Sequence, residues 1–226
     1  MPNLSDSCLI NHLPLSVRDV GNRAGLSFPL SLRTLLRDAP CEFDGCVTLH
    51  LKFLSPPPVP VSRMLIDMRT VYNSAGIGVR VGSREDLFGT AFSALVDLDV
   101  GTCDAPLTSE QTQLFTNVGS VGVRDLVIYF VRSTVQPFAG CAQHPANRGG
   151  AVVASTGTRW TLAHEVGHVL GLAHVDDPAP PDPAAPPAQP DRLMTGRGTF
   201  TITNPPPDIN ATEVVTMNAS IFTTNC

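Results

Sequence analysis

The chain has 226 residues, 42% of them hydrophobic and 15% charged, with a formal net charge of -5. It is long enough to bury a core, as one generous domain or two small subdomains around a cleft, and its composition excludes a chain disordered throughout. The 15 Lys and Arg residues are scattered without a basic run, and no apolar stretch reaches the ~18–20 residues that span a bilayer, so neither nucleic acid nor membrane is expected as a partner.

Residues 1 to about 45 mix short apolar stretches with Pro and Gly and offer a single helical signal, near Ser31 to Arg37. Cys46 to Leu54 alternates and is rich in strand formers, and Pro56, Pro57 and Pro58 end it. After Pro60, the spacing of Met64, Leu65, Met68, Val71 and Tyr72 predicts a helix that stops over Asn73 to Gly76. Ile77 to Val81 reads as a strand. Thr108 and Gln111 form a capping-box pattern ahead of a short helix near Ser109 to Asn117. Asp125 to Arg132 (DLVIYFVR) is the strongest buried-strand signal and is expected at the centre of a sheet.

Gly149 to Ser155 reads as a short strand and Thr158 to Leu170 as a helix. From Asp177 to Pro190 the composition collapses to Pro, Ala, Asp and one Gln, which predicts an exposed, partly extended loop. Asn210 and Glu213 then open a helix through about Ser220, with Val214, Met217 and Ile221 as its apolar side. Asn210-Ala-Thr and Asn218-Ala-Ser are glycosylation sequons.

The opening residues MPNLSDSC carry neither the basic nor the apolar region of a signal peptide. Cys8, Cys41, Cys46, Cys103, Cys141 and Cys226 make an even set without a CxxC pair, which fits disulfides in an oxidising, extracellular setting. Chain order suggests Cys41 with Cys46, Cys103 with Cys141 and Cys8 with Cys226. His12, His50 and His144 read as structural or surface residues.

The chemistry concentrates in HEVGHVLGLAH. His164 and His168, four apart on a helix, present their imidazoles on one face about a turn apart, close enough to share a metal ion. Gly171 sits where a left-handed residue turns the chain sharply, which brings His174 back as a third ligand. Three neutral imidazoles suit one catalytic Zn2+ ion with a fourth position open to water, whose pKa falls toward about 7. Glu165 directly follows the first ligand and is placed to act as general base.

The motif resembles HExxHxxGxxH of the metzincin clan of zinc endopeptidases, matched at His164, Glu165, His168, Gly171 and His174. The resemblance extends over about residues 44–222. It implies an α+β fold: a twisted mixed β-sheet with backing helices and the active-site helix, over a smaller C-terminal subdomain holding a methionine turn at Met194 and the last helix. It further implies one catalytic domain over 44–226, split into an upper part, 44–172, and a lower part, 173–226, after an N-terminal segment, 1–43. By the same resemblance a peptide or protein substrate lies between the two parts, and Gly150, Ala151, Val152 and Val153 are the candidates for the edge strand that pairs with it.

Val175 follows the third histidine, so no branch of the clan is assigned. Where some members carry a tyrosine ligand this chain has Gly196, so three histidines and water are expected. Arg197 is a candidate charge beside the substrate pocket. Two other readings stand beside this one. One is a zinc peptidase using Glu213 as third ligand, which His174 makes unnecessary. The other is a non-catalytic zinc-binding or proline-rich interaction module. A secreted, monomeric metalloendopeptidase is the expectation carried forward.

Overall fold

The computed structural model describes residues 43–57, 59–104, 106–176, 189 and 191–226. The expected helix near Ser31 to Arg37, Cys8, His12, Cys41 and most of the proline-rich stretch from Asp177 to Pro190 lie outside the described residues. Within Asp44–Cys226, a compact unit, the elements run β1 (Gly45–Phe53), α1 (Val61–Ser74), β2 (Ile77–Asp86), β3 (Asp97–Leu98), α2 (Ser109–Leu114), β4 (Leu126–Val131), β5 (Ser133–Thr134), β6 (Gly140–Cys141), β7 (Gly150–Ala154), α3 (Thr161–Val169) and α4 (Ala211–Ala219). No described helix is long and apolar enough to cross a membrane.

The main sheet has the order β2-β1-β4-β7-β6, parallel except for β6, so the expectation of a mixed sheet with β4 at its centre agrees with the structure. Every residue of β4 is buried, because its two faces serve two cores. Leu126, Ile128 and Phe130 point to the side covered by α1 and α3, whereas Val127, Tyr129 and Val131 meet Leu98, Leu114 and Phe115 on the other. The two-residue period of a strand produces this division directly. On the helical side, the Phe53 and Phe130 rings stack with centroids 4.8 Å apart, and α1 contributes Met64, Met68, Val71 and Tyr72.

Several sequence expectations need correction. β2 runs on to Asp86, beyond Val81, and its second half is exposed. Charges there suit a sheet edge that must resist pairing with another chain, and they hid the strand from a search for apolar alternation. The small β3–β5 pair has no counterpart in the sequence reading. Ile221 lies past the end of α4 and is exposed, while Phe222 is buried in its place. Of the suggested disulfides, Cys103–Cys141 is present. Cys46 instead bonds Cys226, because the C-terminal residues lie beside β1, with Cys46 N donating to Thr224 O at 2.7 Å. That bond excludes both Cys41–Cys46 and Cys8–Cys226. Two disulfides are compatible with an extracellular protein.

The sequons are put to structural use. Asn210 caps α4, accepting from Glu213 N at 2.9 Å, and Asn218 Nδ2 donates to Val214 O at 3.0 Å.

Candidate active site

Helix α3 is buried along almost its whole length, resting on the sheet with one side and on the 193–199 segment with the other. Tyr72 of α1 fixes it by donating its hydroxyl to Ala163 O at 2.8 Å. The helix ends in a paired-bond turn. Leu172 N donates to Gly167 O at 3.0 Å and Gly171 N to His168 O at 2.9 Å, with Gly171 at φ 99°. This left-handed glycine reverses the chain within one turn and carries His174 back toward the helix.

The three imidazoles converge. Their Nε2 atoms stand 3.2 Å (His164 to His168), 3.0 Å (His168 to His174) and 3.3 Å (His164 to His174) apart. Tetrahedral zinc–nitrogen bonds of 2.0–2.1 Å separate ligand atoms by about 3.3–3.4 Å, so the triangle has the size such an ion requires. Ring orientation agrees. His164 Nδ1 donates to Leu193 O at 2.7 Å and His168 Nδ1 to Leu172 O at 2.8 Å, which puts the proton on Nδ1 and turns the Nε2 lone pair inward. Burial, with the neighbouring His168 and His174, pushes His164 down to about 3 against the pull of the Leu193 carbonyl, so it stays neutral as a ligand must. The residues present therefore fit a metal ion. Among the described residues no fourth His, Cys, Asp or Glu joins the group.

Glu165 is buried, and burial pushes its carboxyl up to about 8. It lines the same cavity as the three histidines, a space of about 660 Å³. A Cβ on Gly140 of β6 would fall 2.5 Å from Glu165 Oε1, so only glycine at this edge admits the carboxylate.

Met194 lies fully buried beneath α3. A Cβ on Gly167 would meet its sulfur at 2.7 Å, so a glycine on the underside of the helix allows the sulfur its close approach. The turn around Met194 reaches two of the ligand-bearing segments, since Leu193 O holds His164 and Met194 O accepts from Val175 N at 3.0 Å.

Asp176 escaped the sequence reading as a site residue. It is fully buried, and it accepts from Gln189 N at 2.6 Å, Gly196 N at 2.7 Å and Thr195 Oγ1 at 3.1 Å. Burial raises its pKa, but these donors and nearby Arg197 outweigh that and hold the carboxyl below its ordinary range. The carboxylate thus stitches the segment after His174 to the methionine turn. A signal was available: an acid two residues past the last histidine, with Thr-Gly downstream to receive it. Arg197 stands 3.9 Å from Asp176 Oδ2 and is not on the cavity wall, contrary to the expectation of a pocket charge.

The candidate substrate strand also needs correction. Gly150, Ala151, Val152 and Val153 lie in β7, a fully buried strand paired with β4 on one side, while Val152 and Val153 pair with β6 on the other. The edge is β6, and Ala139, Gly140, Ala142 and Gln143 of that segment line the cavity. Glu213, the alternative metal ligand, is engaged elsewhere: it accepts from Asn210 N at 2.7 Å and pairs with Arg192.

No protein-family model matches the sequence, and no curated protein matches it. Solved structures resemble its fold. Metalloproteinase-II from Bacteroides fragilis superposes with a TM-score of 0.52 at 19% identity, covering 79% of this chain and 54% of that one. The chain therefore spans about half the length of that structure. Archaemetzincin from Methanopyrus kandleri gives a TM-score of 0.48 at 17% identity over 76% of this chain and 93% of that one. At the level of fold, this chain is similar to a metalloproteinase.

Proposed function

We propose that the protein is a secreted, zinc-dependent endopeptidase of metzincin type, acting as a monomer, with residues 44–226 as its catalytic domain and the 44–172 and 173–226 parts facing each other across the cleft. One observation carries the reading: three inward-turned Nε2 atoms 3.0–3.3 Å apart share a cavity with a buried carboxylate on the residue next to the first of them.

His164, His168 and His174 would hold the ion. When bound, zinc supplies Lewis acidity toward water and the scissile carbonyl. Glu165 takes the proton from the attacking water and delivers it to the leaving amine. Leu193 O and Leu172 O keep the first two imidazoles in the ligating tautomer, Met194 supports α3 from below, and Asp176 fixes the segment that carries His174. The edge strand β6, not β7, is the segment against which an extended peptide would lie. A purely structural zinc site closes its coordination with a fourth protein ligand. The three-histidine group opening on a cavity favours hydrolysis over a non-catalytic module.

Zinc content and cleavage of a mixed peptide library, measured on wild type and Glu165→Gln, test the reading. Stoichiometric zinc in both, with cleavage by wild type alone, is the expected outcome. Protein that takes up no zinc sinks it, as does undiminished cleavage by the variant.

A further inference from the structure

Apart from the metal-binding imidazoles, the described residues of the cavity wall include two titratable side chains, Asp104 and Glu165, and among them there is no Lys or Arg. Glu165 belongs to the proposed chemistry; Asp104 does not. Asp104 is exposed, and among the described residues it has no ion pair or hydrogen bond.

Its position is built. Cys103 bonds Cys141 of β6 with 5.7 Å between the Cα atoms, which ties the loop bearing Asp104 to the edge strand beside Glu165. The same loop is pinned at its start, where Thr108 Oγ1 donates to Asp99 O at 2.7 Å, Gly101 N to Asp99 Oδ1 at 2.9 Å and Cys103 N to Val100 O at 3.1 Å. Cys103 has a φ of 64°, rare for a residue with a side chain.

A second, independent feature lines the same cavity. Gln143, two residues past Cys141, has a buried Oε1 that finds no hydrogen-bond partner among the described residues. Buried acceptors are seldom left unpaired, and a turn of this carboxamide toward the cavity it lines would bring its oxygen to a donor there. A carboxylate and an orphan carboxamide oxygen ask for the same thing, a group rich in N–H donors and positive charge.

We infer that Asp104 and Gln143 form a subsite for a basic side chain, so that peptides bearing arginine or lysine near the scissile bond are preferred substrates. This rests on the endopeptidase reading for its substrate class. The net charge of -5 works in the same direction by drawing cationic peptides toward the molecule.

The test uses the zinc-loaded full chain and peptide pairs in which arginine, scanned through successive positions, is exchanged for citrulline, equal in shape and uncharged. Affinity is measured calorimetrically on Glu165→Gln, alone and combined with Asp104→Asn or Gln143→Ala. At one register the arginine peptide binds about 5- to 10-fold tighter than its citrulline partner. Asp104→Asn abolishes that ratio, Gln143→Ala reduces it, and rising salt shrinks it. Equal affinities at every register, or a ratio indifferent to Asp104→Asn, overturn the subsite, and cleavage of both series by wild type would then leave the endopeptidase standing. An arginine preference without any cleavage by wild type would retain the subsite and remove the hydrolytic reading. Binding of no peptide in either series also overturns the subsite, and cleavage by wild type then decides the endopeptidase reading on its own. Asp104 is exposed, so its variant is expected to fold, which circular dichroism checks.

Discussion

Helices α1 and α3 lie on the same face of the sheet, touch each other through Tyr72 and Ala163, and each buries one carboxylate. The two acids are treated differently. Asp67 in α1 is clamped between Arg63 Nε at 2.9 Å and Arg159 at 2.6 Å. Glu165 in α3 has no ion pair or hydrogen bond among the described residues, and burial raises it to about 8. Burying a charge without a partner is costly, so an unpaired buried acid is pushed toward its neutral form. α1 pairs its buried acid with two arginines, whereas α3 leaves its acid unpaired on the wall of the cavity that holds the three histidines.

The comparison is broken most sharply at Glu165. Glu165→Gln is expected to lower kcat/KM by about 100- to 10,000-fold while leaving zinc bound. Its melting temperature should match or exceed wild type, because an unpaired buried acid has been removed. A large loss of stability would mean that Glu165 is structural, as Asp67 is. Asp176→Ala comes next. It strips three donors of their acceptor, costs about 3 kcal/mol in urea unfolding, and weakens zinc affinity by about 10- to 100-fold in competition with a chelator.

Gly167→Ala sharpens the contrast within α3, since the new Cβ meets the Met194 sulfur at 2.7 Å. A loss of about 1–3 kcal/mol is expected, with zinc affinity lowered in parallel, whereas an unchanged melt would show that Met194 yields freely. Asp67→Ala should cost about 1 kcal/mol, since both arginines are partly exposed and screened. Its kcat/KM should stay within twofold of wild type.

The smallest effect lies away from both helices. Asp97 is lowered to about 2, chiefly by its hydrogen bonds from Arg132 and Ser133. A depressed acid contributes stability that is complete above its unfolded pKa and is lost as pH falls through the folded one. Its share should therefore disappear between about pH 4 and pH 2. Asp97→Asn should melt less steeply with pH across that window, and identical pH profiles would show that the pair contributes nothing.

Much of the fold was legible locally. The capping patterns at Thr108–Gln111 and Asn210–Glu213 both appear as complete capping boxes, since a cap depends on residues three apart. β4 announced itself through six consecutive apolar residues, and the length of α1 through its helical spacing and the stop at Gly76. What went unread depends on distant partners. β6 is two residues long and exists only because β7 pairs with it. Its apolar partner was consequently mistaken for the edge. Cys46–Cys226 joins residues 180 apart, and Asp176 acquires its meaning from a turn some twenty residues downstream.

The sequence by itself determined which residues can carry the chemistry. Helical periodicity places His164 and His168 on one face and a left-handed glycine returns His174, and both are short-range consequences of backbone geometry. The tertiary structure decided everything that needs two distant segments to meet. It alone established the convergence of the Nε2 atoms, the backing by Leu193 O and Met194, the position of β6 rather than β7 at the sheet edge, and the lining of one cavity by both Asp104 and Gln143. Periodicity repeats every few residues and can be read from a single stretch. Register, disulfide partners and orphaned acceptors come from packing between stretches, and they become visible only once the chain is folded.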